Sequence, residues 1–271
     1  SSDGTIVAIG SPYNNNGNGN NAGHVRVHQY ASGSWTQLGP DINGEAAGDY
    51  SGYSVSLSDD GTIVAIGAYA NDDGGSTAGH VRVYQWNGTA WTPLGSSIPG
   101  ESAGDNSGYS VSLSSDGTIV AIGSPYNNNG SGNDVGHVRV YKYVSSNWSQ
   151  IGSDIDGEAA GDRSGRSVSL NSDGSILAIG AYNNIGYGSK IFAGHVRVYK
   201  NVSDVWTKIC TCGPNAGDID GEAAGDHSGT VSLNSDGTKL AIGAYLNNNG
   251  NGSDAGHVRV YEAVDLTVTL S

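Results

Sequence analysis

The chain has 271 residues, and its 26 Asp and Glu outweigh its 12 Lys and Arg to give a formal net charge of −14. So acidic a surface repels phosphate backbones, which excludes nucleic-acid binding driven by counterion release. No stretch approaches the ~18 consecutive apolar residues of a membrane span, so we expect no membrane insertion. Met is absent and the first residues fall inside a repeat, so we expect that an upstream segment was removed.

Three phrases recur along the chain and define its organisation. Gly-His-Val-Arg-Val occurs five times, with His24, His80, His137, His195 and His257. Gly-Glu-(Ala/Ser)-Ala-Gly-Asp-x-Ser-Gly begins at Gly44, Gly100, Gly157 and Gly221. Asp-Gly-(Thr/Ser)-x-(Val/Leu)-Ala-Ile-Gly begins at Asp3, Asp60, Asp116, Asp173 and Asp236. We predict a single domain spanning residues 1–271, with repeats at about 1–43, 44–99, 100–156, 157–220 and 221–271.

Each repeat is predicted to contain four short strands. In the second repeat, Ser54 to Leu57 alternates polar and apolar residues, and Asp60-Gly61 favours a tight hairpin turn. Thr62 to Ile66 is a mostly apolar, β-branched run, typical of a strand buried on both faces. After a loop rich in Asn, Gly and Asp, His80 to Tyr84 alternates again, and a fourth strand lies near Trp91 to Leu94.

The repetition of four-strand units predicts an all-β fold, a β-propeller of about five four-stranded blades. The small Ser and Gly residues of the first strand suit a crowded inner position. The Trp of the fourth strand suits a wide outer position. No segment has the 3.6-residue period of a helix.

The repeats resemble the FG-GAP repeats of the integrin α-subunit propeller and of its bacterial and algal relatives. The resemblance covers the whole chain and rests on Gly-Asp-x-Ser-Gly-x-Ser-Val-Ser-Leu, Ala-Ile-Gly-Ser-Pro, Gly-His-Val-Arg-Val-Tyr and the later Trp. In this chain Ser-Gly stands where the family has Phe-Gly. Integrin-type repeats also place an Asp-rich calcium loop between the first two strands, where this chain has only a short turn. The family's calcium site therefore cannot be carried over to that turn.

The two ends of the chain indicate how a ring of blades could close. Thr267 to Ser271 matches Ser110 to Ser114, which directly precede the Asp-Gly turn of the third repeat. The C-terminal segment is therefore predicted to supply the inner strand that the first repeat lacks, with Val268 pairing against Ile6 and Val7. In the alternative, Leu266 to Leu270 is an outer strand and the chain is a slice of a longer array.

Recurring charged residues predict contacts between neighbouring repeats. An arginine lies on every His-Val-Arg strand, and a Glu and an Asp recur in every Gly-Glu phrase. Because arginine can hold a carboxylate with two hydrogen bonds, we predict a structural latch between loops. Its residues are Arg26, Arg82, Arg139, Arg197, Arg259, Asp49, Asp105, Asp162 and Asp226. The same acids could instead serve as acid and base on a glycoside. However, catalytic sites are seldom copied into every blade, so we expect no enzyme.

A tyrosine follows the second strand of every repeat and forms a candidate ligand groove. These residues are Tyr13, Tyr69, Tyr126, Tyr182 and Tyr245. Their rings could stack on sugars, or could be ordinary packing within a blade.

No metal site and no cofactor is expected. The Asn-rich loops after the second strands offer oxygens that calcium prefers, but Asn and Gly also serve ordinary turns, which we favour. The five histidines are interpreted as structural, because equivalent positions in different blades are spread around the axis.

The sequence leaves two kinds of covalent modification undecided, a disulfide and glycosylation. Cys210 and Cys212 are the only cysteines, and a local disulfide between them would be strained but possible in an oxidising compartment. Possible glycosylation sites are Asn87, Asn129, Asn147, Asn201 and Asn251, a number that chance alone would produce.

The sequence favours a non-enzymatic extracellular or cell-surface module for adhesion or for assembly of a surface structure or filament. Its expected partners are other surface proteins or copies of itself, and glycans are a further option. The first alternative is a multivalent carbohydrate-binding propeller, in which weak equivalent sites act together. The second alternative is a calcium-binding propeller.

Overall fold

The computed structural model of the chain describes residues 1–129, 132–186, 188–209, 217–248 and 252–262. These residues form five antiparallel sheets, which we number 1 to 5 in chain order, and they contain no helix. The predicted all-β architecture of repeated sheets is therefore confirmed. None of the described residues belongs to a helix that could span a membrane.

Each sheet corresponds to one repeat. Sheet 1 contains β1 (Ile6–Ser11), β2 (His24–Ala31), β3 (Ser34–Gln37) and β4 (Ile42–Asn43). Sheet 2 contains β5 (Ser54–Leu57), β6 (Ile63–Ala68), β7 (His80–Trp86), β8 (Trp91–Pro93) and β9 (Ile98–Pro99). Sheet 3 contains β10 (Ser110–Leu113), β11 (Ile119–Ser124), β12 (His137–Val144), β13 (Asn147–Gln150) and β14 (Ile155–Asp156). Sheet 4 contains β15 (Ser167–Leu170), β16 (Ile176–Ala181), β17 (His195–Val202), β18 (Val205–Lys208) and β19 (Asp218–Asp220). The described part of sheet 5 contains β20 (Ser228–Leu233), β21 (Lys239–Ala244) and β22 (His257–Glu262).

The strands of each sheet pair with their sequence neighbours. In sheet 3, β10 pairs with β11, β11 with β12, and β12 with β13. The short strand β14 then pairs with the start of β12, at His137 and Val138. The outer edge therefore consists of two short strands where one was predicted. The turn between them contains Gly152, whose φ of +75° favours glycine.

The hydrophobic core lies between adjacent sheets. Between sheets 2 and 3, for example, Val81 and Val83 of β7 belong to one buried cluster with Val120 and Ile122 of β11. Similar clusters join sheets 1 and 2, sheets 3 and 4, and sheets 4 and 5. Burying such a side chain contributes about 1.5–3 kcal/mol. Each sheet is therefore stabilised mainly by its neighbours.

Two recurring glycines let neighbouring sheets approach closely. A Cβ added at Gly67, near the end of β6, would lie 2.0 Å from the carbonyl oxygen of Gly108 in the next repeat. The same approach joins Gly10 with Gly52, Gly123 with Gly165, and Gly180 with Gly229. This contact gives a physical reason for the recurring Ala-Ile-Gly and Ser-Gly phrases.

Hydrogen bonds between sheets account for the recurring Ser and Trp. The Ser54 hydroxyl donates to the carbonyl of Gly108 at 2.7 Å, and the Ser56 hydroxyl accepts from the Leu113 amide at 3.0 Å. On the outer edge, the Trp148 indole donates to the carbonyl of Leu94 in the preceding repeat at 2.7 Å. Trp91 and Trp206 make the equivalent bonds.

Among the described residues, the first and last sheets each leave one face uncovered. Val258 and Val260 of β22 are each 68% exposed, whereas Val25 and Val27 at the same positions of β2 are 0% and 1% exposed. Ring closure is therefore not formed by the described residues. The predicted pairing of Val268 with Ile6 and Val7 lies outside the described residues, because it involves residues 263–271.

Candidate ligand-binding surface and metal clusters

An unbroken run of aromatic and arginine side chains crosses all five sheets. It lies at the end of the sheets where β6 and its counterparts finish and where β5 and its counterparts begin. We call this surface the aromatic belt. It contains Tyr13, Tyr50, Tyr53, Tyr69, Tyr109, Tyr126, Arg163, Arg166, Tyr182, His227 and Tyr245.

The first half of the belt consists of tyrosines in mutual contact. Tyr13 meets Tyr50 edge-on, with ring centroids 5.5 Å apart, and Tyr50 stacks on Tyr69 at 5.3 Å. Tyr53 lies between Tyr69, at 4.6 Å, and Tyr109, at 4.7 Å. The hydroxyls of Tyr53 and Tyr109 are hydrogen-bonded at 2.6 Å. Each such ring pair contributes about 0.5–1.5 kcal/mol beyond its buried area, which fixes the rings in place.

Two arginines continue the belt from sheet 3 to sheet 4. The guanidinium of Arg166 lies over Tyr109, 4.2 Å from the ring centroid, and over Tyr182, at 5.3 Å. Arg163 lies over Tyr126 at 4.7 Å and donates a hydrogen bond to the Tyr182 hydroxyl at 3.0 Å. Cation–π contacts of this kind position the charge while leaving donors available.

His227 completes the belt, with ring centroids 5.5 Å from Tyr182 and 5.6 Å from Tyr245. Burial lowers the pKa of His227, and burial raises the pKa of Tyr109, so both rings are neutral near pH 7. The positive charge of the belt therefore comes from its two arginines. At the two ends, Tyr13 and Tyr245 are 67% and 55% exposed.

Six of the eleven belt residues occupy positions at which otherwise similar repeats differ, whereas the other five are the tyrosine that recurs in every repeat. The variable residue of Gly-Asp-x-Ser-Gly is Tyr50, Asn106, Arg163 or His227, and all four have φ between 51° and 57°. This left-handed region costs a non-glycine residue about 1–2 kcal/mol. At three of the four positions a large side chain is thus held in spite of strain, which is typical of functional positions.

All five tyrosines predicted as a ligand groove lie on the belt. Sequence reasoning missed its other members: Tyr50, Tyr53, Tyr109, Arg163, Arg166 and His227. Their signal was the variation between copies of the repeat. Whether the belt binds a ligand stays a prediction.

The predicted latch arginines contact glutamates and backbone carbonyls. Arg139 Nη2 donates to the Pro99 carbonyl of sheet 2 at 2.8 Å, and its Nη1 lies 3.5 Å from Glu101. Arg82, Arg197 and Arg259 likewise donate to a carbonyl of the preceding sheet and contact the glutamate two residues further along the chain. Arg26 lies in sheet 1, which no described sheet precedes, and it binds Asp41 with two hydrogen bonds of 2.9 Å.

The predicted latch aspartates have other partners. Asp105 accepts hydrogen bonds from the Ser102 amide at 3.0 Å and from Asn127 at 3.0 Å, and so joins its own loop to the loop after β11. Asp49, Asp162 and Asp226 make equivalent bonds to Asn71, Asn184 and Asn247. The aspartates therefore fix loops without contacting the arginines. The spacing of the residues could not show which acid contacts the arginine, because the Glu and the Asp lie in the same short phrase.

Three histidines each lie close to two carboxylates, a grouping that spacing along the sequence does not predict. The groups are Glu45, Asp73 and His80; Glu101, His137 and Asp154; and Glu158, His195 and Asp218. Within each group, one ligand atom from each residue lies within 4.8 Å of the others. Burial lowers the pKa of each of the three histidines, and that of His195 to about 3, so the imidazoles are neutral near pH 7. Residues that could hold a metal ion are thus present, whereas the sequence predicted none.

The Asn-rich loops use their side-chain oxygens in turns. Asn15 Oδ1 accepts from the Asn21 amide at 2.8 Å, and Asn128 Oδ1 accepts from the Asp134 amide at 2.8 Å. This agrees with the preferred turn interpretation of these loops.

The predicted modification sites differ in their placement. Asn87 and Asn147 are exposed, and Asn129 and Asn201 are partly buried. Asn251, Cys210 and Cys212 lie outside the described residues. Glycosylation and a disulfide stay predictions.

Comparison with known proteins supports the recurring architecture. Residues 43–84 match the family model of the FG-GAP repeat, which confirms the predicted resemblance. No curated protein matches the chain. The periplasmic gluconolactonase PpgL of Pseudomonas aeruginosa is similar in structure, with a TM-score of 0.59 and 16% identity over 89% of this chain and 62% of that chain. TolB from Acinetobacter baumannii has a TM-score of 0.50 and 10% identity over 98% of this chain and 55% of that chain.

These similarities confirm the β-propeller fold, since both neighbours are propellers. The chain spans less than two thirds of the length of either neighbour. The comparison also overturns the expectation that the chain is not an enzyme, because a propeller similar to it is one. That expectation relied on catalytic sites being seldom copied into every blade, which does not exclude a catalytic site on the same fold. At 16% identity, the likeness itself shows the fold alone.

Proposed function

We propose that this propeller with an FG-GAP repeat is an adhesive binding module that holds an extended, carboxylate-bearing carbohydrate along the aromatic belt. The observation that carries the proposal is the continuity of the belt through all five sheets. Its members Tyr50, Arg163 and His227 stand where the repeats diverge, and all three accept a strained left-handed backbone.

The chemistry of the belt suits a sugar chain. Sugar rings have apolar faces that stack on aromatic rings, and their hydroxyls match phenols and amides. Ligand sites commonly combine aromatic walls with a few polar groups in this way. Several weak contacts along one polymer add up through effective concentration, which gives useful avidity without a deep pocket.

The charge of the belt favours an acidic sugar. Arg163 is ion-paired with Asp134 at 3.2 Å, whereas Arg166 has no ion pair among the described residues. Arg166 is thus an available cation in a protein whose net charge is −14. A carboxylate can bind guanidinium with two hydrogen bonds, so a uronic acid polymer fits better than a neutral one.

A location outside the cytoplasm accords with this ligand class. The similar gluconolactonase is described as periplasmic. Adhesion to a cell-wall or matrix polysaccharide would follow from a belt that contacts several sugar units at once.

Affinity electrophoresis against polysaccharides tests the proposal. Migration should be retarded by polygalacturonate and alginate more than by neutral glucan, and a Tyr13→Ala/Tyr245→Ala variant should lose most of the retardation. A matched control is Tyr30→Ala/Trp35→Ala, which removes an exposed aromatic pair outside the belt. Equal migration with all polysaccharides would reject the proposal. Release of reducing ends in the same mixtures would detect turnover.

A second candidate function, self-assembly, is favoured by the open end faces. At each of the four contacts between sheets within the chain, the equivalents of Val258 and Val260 are buried against the next sheet. At the other end of the array, Arg26 lacks the carbonyl partner that its four counterparts have. Sheet 5 of one copy therefore fits sheet 1 of a second copy.

Sedimentation velocity over a concentration series tests this assembly. We expect larger species at high concentration and a monomer for Val258→Glu/Val260→Glu. A wild-type chain that remains monomeric at the highest concentration would reject it.

A further inference from the structure

In sheets 3 and 4, carboxylates face a histidine Nδ1 at distances that hydrogen bonds do not explain. In sheet 3, Glu101 Oε2 and Asp154 Oδ2 each lie 3.8 Å from His137 Nδ1. In sheet 4, Glu158 Oε2 lies 3.9 Å from His195 Nδ1. These distances exceed the roughly 2.7–3.2 Å of a hydrogen bond. They are a few tenths of an ångström longer than the roughly 3.3–3.6 Å that separates two tetrahedral ligands placed about 2.0–2.2 Å from a shared cation, so a small inward movement of the carboxylates would complete such a site.

The second sheet adds an unsatisfied buried atom. His80 is 0% exposed, and its Nδ1 lies 3.3 Å from Asp73. Its Nε2 has no hydrogen-bond partner and faces Glu45 Oε2 at 3.8 Å. A neutral imidazole carries one N–H, so a lone pair would face a carboxylate here with nothing between them. A cation bound between Nε2 and the carboxylate would replace this repulsion with two favourable contacts.

A difference between the repeats also indicates that each cluster needs a second carboxylate. Asp154 and Asp218 occupy equivalent positions in sheets 3 and 4, but sheet 2 has Ser97 at that position. There Asp73, from the loop between β6 and β7, supplies the second carboxylate from another direction. The composition of one His, one Glu and one Asp is therefore retained although the source of the Asp differs.

Neighbouring side chains hold the carboxylates in place. Gln150 donates to Asp154 Oδ1 at 2.7 Å, which leaves Oδ2 directed at His137. Arg139 lies 3.5 Å from the other oxygen of Glu101. Such outer contacts are typical of metal sites, where they orient the ligands. The glutamate side chains are 40–49% exposed in the three clusters, so an ion can enter from solvent.

We propose that each of these three clusters binds one divalent transition-metal ion, with Zn²⁺ as the probe, through its histidine, glutamate and aspartate. Imidazole with carboxylates selects such ions, whereas Ca²⁺ takes oxygen ligands. The ion would join the loop carrying the Glu to the strand carrying the His, and so stabilise adjacent repeats. The cluster with His195 is expected to be the weakest, because Lys208 lies 3.2 Å from Asp218.

Zinc titration of the whole, metal-stripped chain tests this inference independently of carbohydrate binding. Isothermal titration and elemental analysis after dialysis should give up to three Zn²⁺ per chain, with a higher melting temperature in Zn²⁺ than in chelator. Ca²⁺ at the same concentration should leave the melting temperature unchanged. Fewer than one Zn²⁺ per chain, or an equal effect of Ca²⁺, would overturn the proposal.

Single substitutions of the proposed ligands test which residues bind each zinc ion. Glu101→Gln and Asp154→Asn should each lower the zinc count by one, with the affinity of that site falling more than about 10-fold. Asp41→Asn is the matched control, because the cluster of His24 lacks a glutamate, and it should leave the count unchanged.

A rescue experiment separates ligation from folding. Asp73→Asn should lose one ion, and Asp73→Asn/Ser97→Asp should regain it by placing the aspartate where sheets 3 and 4 have theirs. Circular dichroism would verify that both variants keep their strands. An unchanged zinc count in the Asp73→Asn, Glu101→Gln and Asp154→Asn variants would contradict the assignment.

Discussion

Arg166 covers the ring of Tyr109, with its guanidinium carbon 4.2 Å from the ring centroid, and so joins the aromatic residues of sheet 3 to those of sheet 4. The two residues occupy the same position in consecutive repeats. One copy of the repeat thus supplies an aromatic face and the next supplies a cation. This alternation gives a repetitive scaffold a binding surface that is not uniform.

Replacing Arg166 with Gln should weaken binding of acidic polysaccharide about 10-fold and leave binding of a neutral glucan nearly unchanged. The physical reason is the loss of an available cation, while the rings remain. Calorimetry with oligogalacturonate at low and high salt measures the effect, since screening weakens exposed charge pairs. The difference between wild type and variant should shrink at high salt. A parallel loss for the neutral glucan would contradict the assigned role.

Replacing Gly67 with Ala should destabilise the chain by at least about 2 kcal/mol, because the new Cβ would lie 2.0 Å from the Gly108 carbonyl oxygen. Urea unfolding followed by circular dichroism measures this. Gly17→Ala is the control, since a Cβ there meets nothing within 4 Å. Similar midpoints for the two variants would mean that the close approach of neighbouring sheets is not required.

Replacing Trp148 with Phe should cost about 1–3 kcal/mol, because the Leu94 carbonyl loses its indole donor at 2.7 Å. The control is Trp35→Phe in sheet 1, where Trp35 is 48% exposed and contacts no earlier sheet in the part of the chain that the structure describes. Its cost should be near zero in the same urea experiment. An equal loss of unfolding free energy in the two variants would show that the indole hydrogen bond between sheets contributes little to stability.

Acid should weaken sheet 1 through Asp41. Hydrogen bonds from Arg26 hold the pKa of Asp41 at about 2, below the ~3.9 of an unfolded aspartate. The folded state therefore binds this proton less readily, so the stabilisation is complete above about pH 4 and is lost as the pH falls to 2. Stability curves of wild type and Asp41→Asn should differ at pH 5 and converge near pH 2. A constant difference across this range would contradict the prediction.

The sequence was sufficient for the fold because each strand signal was repeated. The alternation of Ser54 to Leu57 and the apolar run of β6 both became strands, and Trp148 lies on the outer edge as predicted. The second short outer strand, β14, was missed, because two residues carry no periodicity.

The candidate sites were harder to predict because they join residues from different phrases. The latch was expected to use Asp105, but the arginine reaches Glu101, four residues earlier in the same loop. Each histidine–carboxylate cluster takes its Glu from the loop before the first strand of a sheet and its His from the start of the third strand. The segment that supplies the Asp differs between repeats. Spacing along the chain does not encode such contacts. The strained φ values at Tyr50 and Arg163 are likewise visible only in the structure.

Calorimetric titration with uronic acid oligomers of increasing length tests the central claim, that the belt acts as one continuous ligand surface. Affinity is expected to rise with oligomer length until the belt is spanned, and a Tyr13→Ala/Arg166→Gln/Tyr245→Ala variant is expected to lose this rise. Affinity independent of length, or the same rise in the variant, would contradict it.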